Sequence, residues 1–206
     1  IDALLPHVRA GKAIVGLEPS CILTLRDEFL ALVPGEAAEA VAASAMLFEE
    51  FLMREDKAGH LSLPLDGIGR EAYLHGHCHQ KAFGAMSAVE GALRMIPGLD
   101  LKVIESSCCG MAGAFGYDAE TIDVSLAMGE LSLLPAVRAA PQDAVIVADG
   151  TSCRRRTPRR ACGGSAGGRA PRGCAVMAPV RVGSRPPALD AARIRRAGHS
   201  TTGHDA

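Results

Sequence analysis

Each of five cysteines in this chain follows a short, strand-like apolar segment by a few residues. They are Cys21, Cys78, Cys108, Cys109 and Cys153. Open parallel sheets bind ligands beyond the carboxyl ends of their strands, so we expect the five thiols to converge on one crevice. Several thiolates in one pocket suit an iron–sulfur cluster or zinc. A single buried cysteine is usually only a small apolar residue, but the repeated position after strands favours metal binding by the set.

The adjacent pair Cys108-Cys109, followed by Gly110, is the most specific element of this pattern. Neighbouring side chains on an extended chain point to opposite faces. Both thiols can therefore reach one centre only at a turn, where Gly110 supplies conformational freedom, or by binding different irons of a cluster. A disulfide between the two neighbours is the alternative. The small residues at 110–116 would let backbone amides approach cluster sulfurs, or they would form a flexible loop before a helix.

Three histidines alternate around Cys78 in the segment His75-Gly76-His77-Cys78-His79. In an extended segment they would share one face and Cys78 would lie on the other. One of them could hydrogen-bond a cluster sulfur or carry a proton, or all three could be loop residues. A zinc site that uses Cys78 and a histidine is the main chemical alternative. No catalytic pairing and no phosphate-binding glycine loop is indicated by spacing, so we predict no catalytic residue.

The elements that would position these cysteines alternate between strands and helices. The predicted strands are Lys12–Leu17, Glu71–Leu74, Leu101–Glu105 and Asp143–Ala148, and the predicted helices cover about 22–33, 36–57, 79–96 and 118–140. Such alternation predicts βαβ units with right-handed crossovers. The expected fold class is α/β, with a mostly parallel sheet of about four strands flanked by helices.

Charge divides the chain into an acidic body and a basic tail. Residues 1–153 carry 10 Lys+Arg against 21 Asp+Glu, whereas residues 154–206 carry 12 Arg against 2 Asp. We therefore predict a cysteine-rich domain at 1–153 and an Arg/Gly/Pro-rich, disordered tail at 154–206. Cys162 and Cys174 belong to the tail. A frameshift just after Cys153 would give this composition, and an arm that binds nucleic acid is the alternative.

The composition also bounds the class of protein. No run of about 18 uncharged apolar residues is present, so no membrane span is predicted. The first residues, from Ile1, include no initiator Met and no signal pattern, so we expect a fragment of a cytoplasmic protein. Seven cysteines without a secretory signal favour metal or redox chemistry over a disulfide framework.

The spacing of Cys78, Cys108-Cys109-Gly110 and Cys153 resembles the CCG-type cysteine-rich domain. That domain occurs in heterodisulfide reductase, in the iron–sulfur component of glycolate oxidase, and at the C-terminus of FAD-linked oxidases that resemble D-lactate dehydrogenase. The phrases GLEPSC, HGHCHQKAF, ESSCCGMAGAFGY and VADGTSCR look most like the last group. The resemblance covers about residues 1–154. It departs from the family where Arg154-Arg155-Arg156 stand in place of the usual closing C-x-x-C.

The resemblance implies an iron–sulfur electron-transfer module of an FAD-linked oxidoreductase that acts on a 2-hydroxy acid of the D-lactate or glycolate type. The five cysteines of the body would be its cofactor and metal ligands, and the centre would be a [4Fe-4S] cluster of cubane or noncubane type. FAD would lie on a flavin-containing domain or subunit, and a ferredoxin-like iron–sulfur segment would be the other partner. A zinc-binding structural or interaction domain is the alternative. The fragment alone is expected to be inactive, because the hydride chemistry belongs to the flavin.

Overall fold

The computed structural model describes residues 1–160 and the short strand at 176–177. The strands are β1 Ile14–Gly16, β2 Ala45–Leu47, β3 Glu71–His75, β4 Asp100–Val103, β5 Val145–Ala148 and β6 Val176–Met177. The helices are α1 Leu5–Arg9, α2 Pro19–Thr24, α3 Glu28–Leu32, α4 Glu36–Ser44, α5 Phe48–Lys57, α6 Cys78–Ala82, α7 Met86–Arg94, α8 Ile122–Glu130, α9 Leu133–Ala139 and α10 Thr151–Arg160.

The main sheet is parallel and has four strands in the order β4-β3-β5-β6. In its centre, Ala72 of β3 pairs with Leu101 of β4 on one side and with Val145 of β5 on the other. All four residues of β5 are buried, as expected of an apolar strand covered on both faces of a parallel sheet. The predicted α/β class, with about four parallel strands flanked by helices, is confirmed.

The first predicted strand does not join this sheet. Instead, β1 pairs with β2 in a separate two-stranded parallel sheet, with Ile14 opposite Ala45. The sequence predicts one helix over 36–57, but residues 45–47 are extended and separate α4 from α5. Both ends of that segment are buried, Ala45 at 4% exposure and Leu47 at 1%. Pairing with β1 therefore overrides the helical spacing of the apolar residues.

The other long predicted helices are each divided in two, because local backbone geometry interrupts them. Gly84, with φ of 65°, lies between α6 and α7. Ser132, with φ of −156°, precedes α9 and ends the helical run of α8. The side chain of Asp118, where the predicted helix begins, accepts a hydrogen bond from the backbone N–H of Glu120 at 3.0 Å in the turn before α8, and Thr121 is the N-cap of that helix.

Apolar residues on the two faces of the main sheet hold its strands in place. One core cluster is formed by Ile104, Cys109, Met111, Leu133, Val137, Ile146, Ala148 and Cys153. The other is formed by Ala72, Leu74, Val89, Leu101, Val145 and Val147. Two of the candidate ligands, Cys109 and Cys153, thus belong to the packed core beside β5.

Helix α10 crosses the boundary at residue 154 that the sequence predicts between the domain and the tail. It begins at Thr151 and continues past Cys153 to Arg160, and the sheet gains β6 at Val176–Met177. Arg156 and Thr157, just beyond the predicted boundary, are buried. The remainder of the predicted tail, with Cys162 and Cys174, lies outside the described residues. No helix in the described part of the chain is long and apolar enough to cross a lipid bilayer.

Candidate metal centre

Three loops at the carboxyl edge of the main sheet carry four of the predicted ligands. Cys78 begins α6 shortly after β3, the pair Cys108-Cys109 follows β4, and Cys153 lies in the first turn of α10 after β5. Because β3 lies between β4 and β5, the loop of Cys78 is flanked by the other two. The parallel arrangement places all three loops at the same edge, as the sequence predicts.

The tightest contact in this crevice joins Cys109 to Cys153. Their Sγ atoms lie 3.5 Å apart, and both side chains are buried, with Cys109 3% and Cys153 1% exposed. A ring nitrogen of the fully buried His75 completes a group of three donor atoms that all lie within 4.8 Å of one another. Two thiols and an imidazole at this spacing can bind one metal ion, or different irons of one cluster.

The same contacts lower the pKa of one of these two thiols and raise the pKa of the other. Cys109 has a pKa lowered to about 4, because the Cys153 thiol donates to its sulfur, with His75 and the backbone of Met111 contributing. The pKa of Cys153 is raised, because its proton is held by Cys109 and because it is buried. Metal binding requires deprotonated thiols, so the crevice already favours one thiolate ligand.

Cys78 and Cys108 lie on the more open side of the crevice, where both side chains are partly exposed. The thiol of Cys78 donates to the backbone oxygen of Ser107 at 3.8 Å, and the sulfur of Cys108 accepts from the amide of Gly110 at 3.2 Å. The pKa of Cys78 is raised to about 11 by burial and by Cys108, with Cys109 adding to the effect. Four thiols therefore interact electrostatically within one crevice.

Two glycines allow the loops to approach this closely. Gly110 has φ of +80°, which gives the turn predicted after the cysteine pair, and a Cβ there would collide with the backbone oxygen of Ser125. A Cβ on Gly150 would collide with the ring of His77. The loops after β4 and β5 consequently pack directly against their neighbours, which brings the thiols together.

The histidine segment is not extended throughout, so the predicted alternation of faces does not apply. His75 is the last residue of β3, and α6 begins at Cys78. The Nδ1 atom of His77 accepts a hydrogen bond from the amide of His79 at 3.2 Å, which makes His77 the N-cap of α6. His75 alone of the three joins the group of donor atoms with Cys109 and Cys153.

A buried polar network lies beside this crevice. The side chain of Gln80 donates to Asp149 at 2.7 Å and accepts from the amide of His77 at 2.9 Å. Burial raises the pKa of Asp149 and raises that of Glu49 to about 7, and the negative charge of Asp149 contributes to the latter shift. Glu49 therefore keeps its proton to a higher pH than an exposed carboxyl group does.

Cys21, the fifth predicted ligand, lies on a different element, helix α2. It is exposed there, and it is not among the thiols that shift the pKa values of Cys78 and Cys153. Glu18, three residues earlier, reaches Thr151 at the start of α10. The structure thus brings four of the five predicted cysteines together and leaves Cys21 as a prediction.

Arg156 is a residue of the site that the sequence did not indicate. Its Nε donates to the backbone oxygen of Cys109 at 3.0 Å, and its guanidinium also bonds the hydroxyl of Ser125. The residue is 5% exposed although it belongs to a run of three arginines. Its spacing of three residues from Cys153 was the available signal, because residues three and four apart share one face of a helix.

The donor set suits a metal centre on two grounds. Thiolate and imidazole ligands are those that zinc and iron–sulfur clusters use. In addition, the Nε2 atom of His75 is fully buried and has no hydrogen-bond partner within the described part of the chain. A buried polar atom without a partner is costly, and a bound metal would supply one.

Comparison with known proteins relates the chain to parts of larger dehydrogenases. It is 31% identical over 161 residues to D-2-hydroxyglutarate dehydrogenase of Escherichia coli (strain K12), which is 77% of this chain and 15% of that protein. The corresponding protein of Pantoea ananatis (strain AJ13355) is 29% identical over 161 residues, again 77% of this chain and 15% of the relative. One of the subunits of the anaerobic glycerol-3-phosphate dehydrogenase of E. coli (strain K12) is 30% identical over 119 residues, 58% of this chain and 30% of that protein.

No family model matches the chain, and no solved structure matches it significantly. The chain spans 15% of the length of the E. coli D-2-hydroxyglutarate dehydrogenase and 30% of the length of the glycerol-3-phosphate dehydrogenase component. These relatives are dehydrogenases, or a component of one, by name. The chain is therefore similar in sequence to a segment of larger dehydrogenases, and it holds a cysteine and histidine cluster that could bind metal.

Proposed function

We propose that this chain is an iron–sulfur electron-transfer module of an FAD-linked oxidoreductase that acts on a 2-hydroxy acid. The observation that carries the proposal is the convergence of Cys78, Cys108, Cys109 and Cys153 from three loops on one edge of a parallel sheet. Four thiols in one crevice match the ligand number that iron–sulfur clusters use. Cys21 remains the fifth predicted ligand of this proposal.

The protein supplies fixed thiolates, restricted access and hydrogen bonds to sulfur. Cys109 and Cys153 are held in the core, whereas Cys78 and Cys108 face the open side of the crevice. The amides of Gly110 and Met111 donate to the sulfurs of Cys108 and Cys109, and such hydrogen bonds raise the reduction potential of a cluster. A bound cluster would supply one-electron transfer.

The remainder of the proposed function belongs to other parts of a larger protein. The resemblance to CCG domains implies FAD on a flavin-containing domain or subunit and a second centre on a ferredoxin-like segment. The similarity to part of D-2-hydroxyglutarate dehydrogenase supports a 2-hydroxy acid as the substrate class. In this proposal the whole protein is cytoplasmic, and the chain itself carries electrons without a catalytic residue of its own.

A zinc-binding structural domain is the second candidate, and one observation favours it. His75, Cys109 and Cys153 form a compact group of three donors, and either Cys78 or Cys108 could complete a tetrahedral Cys3His site. A zinc domain needs no electron-transfer partner. The two candidates therefore differ in metal identity and in redox activity.

Anaerobic reconstitution of the full chain with iron and sulfide tests the proposal. We expect several irons per chain, with matching sulfide and an EPR signal in one redox state, and we expect both to be lost in Cys109→Ser. Cys21→Ser tests the fifth predicted ligand separately, because Cys21 is exposed on α2: retained iron would limit the ligand set to the four clustered thiols, and lost iron would include Cys21 in it. Uptake of one zinc with no iron and no signal would favour the structural domain instead.

A further inference from the structure

His75 stands out because it is a fully buried polar side chain at the site with an unsatisfied ring nitrogen. It is 0% exposed at the end of β3, and its Nε2 has no hydrogen-bond partner within the described residues. Its other nitrogen, Nδ1, lies 2.7 Å from the hydroxyl oxygen of Ser106. The contact with Ser106 thus holds the ring at Nδ1, while Nε2 is available to bind a ligand.

With a metal bound at the site, the hydroxyl of Ser106 can select which nitrogen of the neutral His75 ring carries the proton. Ser106 Oγ can donate its single proton to the backbone oxygen of Ile104, which lies 3.4 Å away. When it does so, the Oγ atom accepts from His75, and Nδ1 must hold the ring proton. Nε2 then presents a lone pair, which is the form in which imidazole binds metals.

Lys81 holds Ser106 in position, and Ser106 lies in the loop that carries the cysteine pair. The side chain of Lys81 on α6 donates to the backbone oxygens of Ser106 and Ser107, the latter at 3.3 Å. This contact ties the loop after β4 to the loop after β3. The orientation of the His75 ring and the placement of Cys108-Cys109 therefore depend on the same segment.

We propose that His75 is a nitrogen ligand of the metal centre, binding through Nε2 beside Cys109 and Cys153, and that Ser106 orients it. The proposal rests on the proposed function, since it assigns a ligand to that same centre. In this arrangement His75 takes the place of one of the four clustered thiolates, so the ligand set carries less negative charge than an all-cysteine set. In iron–sulfur proteins, replacing thiolate by histidine raises the reduction potential.

His79 provides the rival nitrogen and therefore the matched control. Its Nδ1 is also buried without a hydrogen-bond partner among the described residues, yet His79 does not join the group formed by His75, Cys109 and Cys153. Two substitutions of His75 distinguish the roles of its two ring nitrogens. His75→Asn keeps a donor near the position of Nδ1 and removes Nε2, whereas His75→Gln places an amide near the position of Nε2.

Pulsed EPR on the reconstituted full chain, with natural and ¹⁵N-labelled histidine, tests the assignment. We expect a strong nitrogen coupling that changes with the label, is lost in His75→Asn and persists in His79→Asn. We expect Ser106→Ala to weaken iron binding by about 10- to 100-fold while retaining the coupling. If His75→Asn fails to fold, the labelled wild-type chain and His79→Asn still test the assignment, because a coupling that is absent from the first or lost in the second excludes His75.

Two results overturn the inference, and they are distinguishable. If iron binds with the expected stoichiometry but the wild-type chain shows no histidine coupling, or if the coupling is lost only in His79→Asn, His75 is not a ligand and the proposed function stands. If the wild-type chain takes up no iron, both the proposed function and this ligand assignment fail.

Discussion

The carboxylate of Glu18 caps a helix that begins 133 residues further along the chain. Its Oε2 accepts hydrogen bonds from the backbone N–H and the hydroxyl of Thr151, at 2.9 and 2.8 Å. Glu18 precedes α2, beside the β1–β2 unit, whereas Thr151 opens the helix that carries Cys153. A single side chain thus connects the smaller sheet to the helix that carries a candidate ligand.

Removing this cap should destabilise the chain. We expect Glu18→Ala to lower the free energy of unfolding by about 1 kcal/mol, as loss of an N-cap does. Although burial opposes the shift, the hydrogen bonds from Thr151 lower the pKa of Glu18 below its usual 4.5. Its contribution is therefore present above pH 4.5 and is lost as the pH falls through the folded-state pKa.

Urea unfolding at pH 7 and at pH 3 measures both effects. Glu120→Gln is the control, since Glu120 is exposed in the turn before α8. Equal stability of wild type and Glu18→Ala at pH 7 would contradict a capping role.

The half-buried carboxyl of Glu49 should make the free energy of unfolding fall as the pH rises. Its pKa is raised to about 7 by burial and by Asp149, so the folded chain binds more protons than the unfolded chain between pH 4.5 and 7. This pKa shift can change the free energy of unfolding by at most about 3 kcal/mol, and that stability is lost progressively across the same pH range. We expect the free energy of unfolding of Glu49→Gln to depend less on pH, and we expect this variant to be more stable than wild type at pH 8. Stability profiles that coincide for the two proteins would rule out this titration, and Glu39→Gln on α4 serves as the exposed control.

Without metal, Cys109 and Cys153 should form a disulfide under mild oxidation. Their sulfurs are 3.5 Å apart, whereas a disulfide bond is about 2 Å long, so only a small movement is needed. We expect diamide to take one hydrogen from each thiol and to leave a cross-link between these residues, detected by peptide mapping with mass spectrometry. The oxidised chain should then take up no metal until it is reduced. A cross-link between Cys108 and Cys109 instead would contradict this pairing.

A side chain at Gly110, in the turn after the cysteine pair, should destabilise the chain more than one at Gly113. Gly110 and Gly113 both have positive φ, but only at Gly110 would a Cβ meet another residue, the backbone oxygen of Ser125. We expect Gly113→Ala to cost about 1 kcal/mol from backbone strain and Gly110→Ala to cost about 3 kcal/mol, because a steric collision adds to the strain. Thermal and urea unfolding of the two variants measure the difference. Equal losses would mean that the loop can shift away from Ser125.

Strands β3, β4 and β5 are predictable because each is a short run rich in apolar residues that ends before polar residues and glycine. The same signal located Cys78, Cys108, Cys109 and Cys153, since the carboxyl ends of parallel strands share one edge. Strand β2 was not predictable in this way. Its three residues, 45–47, continue the apolar spacing of the surrounding helices, and only pairing with β1 makes them extended.

Arg156 escaped prediction for a different reason. Local composition marks the run of three arginines as solvated, and only the fold shows that helix α10 turns one of them toward the backbone oxygen of Cys109. His75 was identified as a candidate, but its role was not, because β3 ends at that residue and the alternation of faces ends with it. Side-chain roles at element boundaries depend on tertiary contacts that local patterns do not contain.

The distribution of the ligands along the chain has a consequence for biosynthesis. Thirty residues separate Cys78 from Cys108, and 44 separate Cys109 from Cys153. A nascent chain that has not yet emerged from the ribosome as far as α10 would therefore present at most three of the four clustered thiols. Ligation by all four thiols would then have to follow translation of α10, so that cofactor loading reports whether the chain has been made as far as this helix.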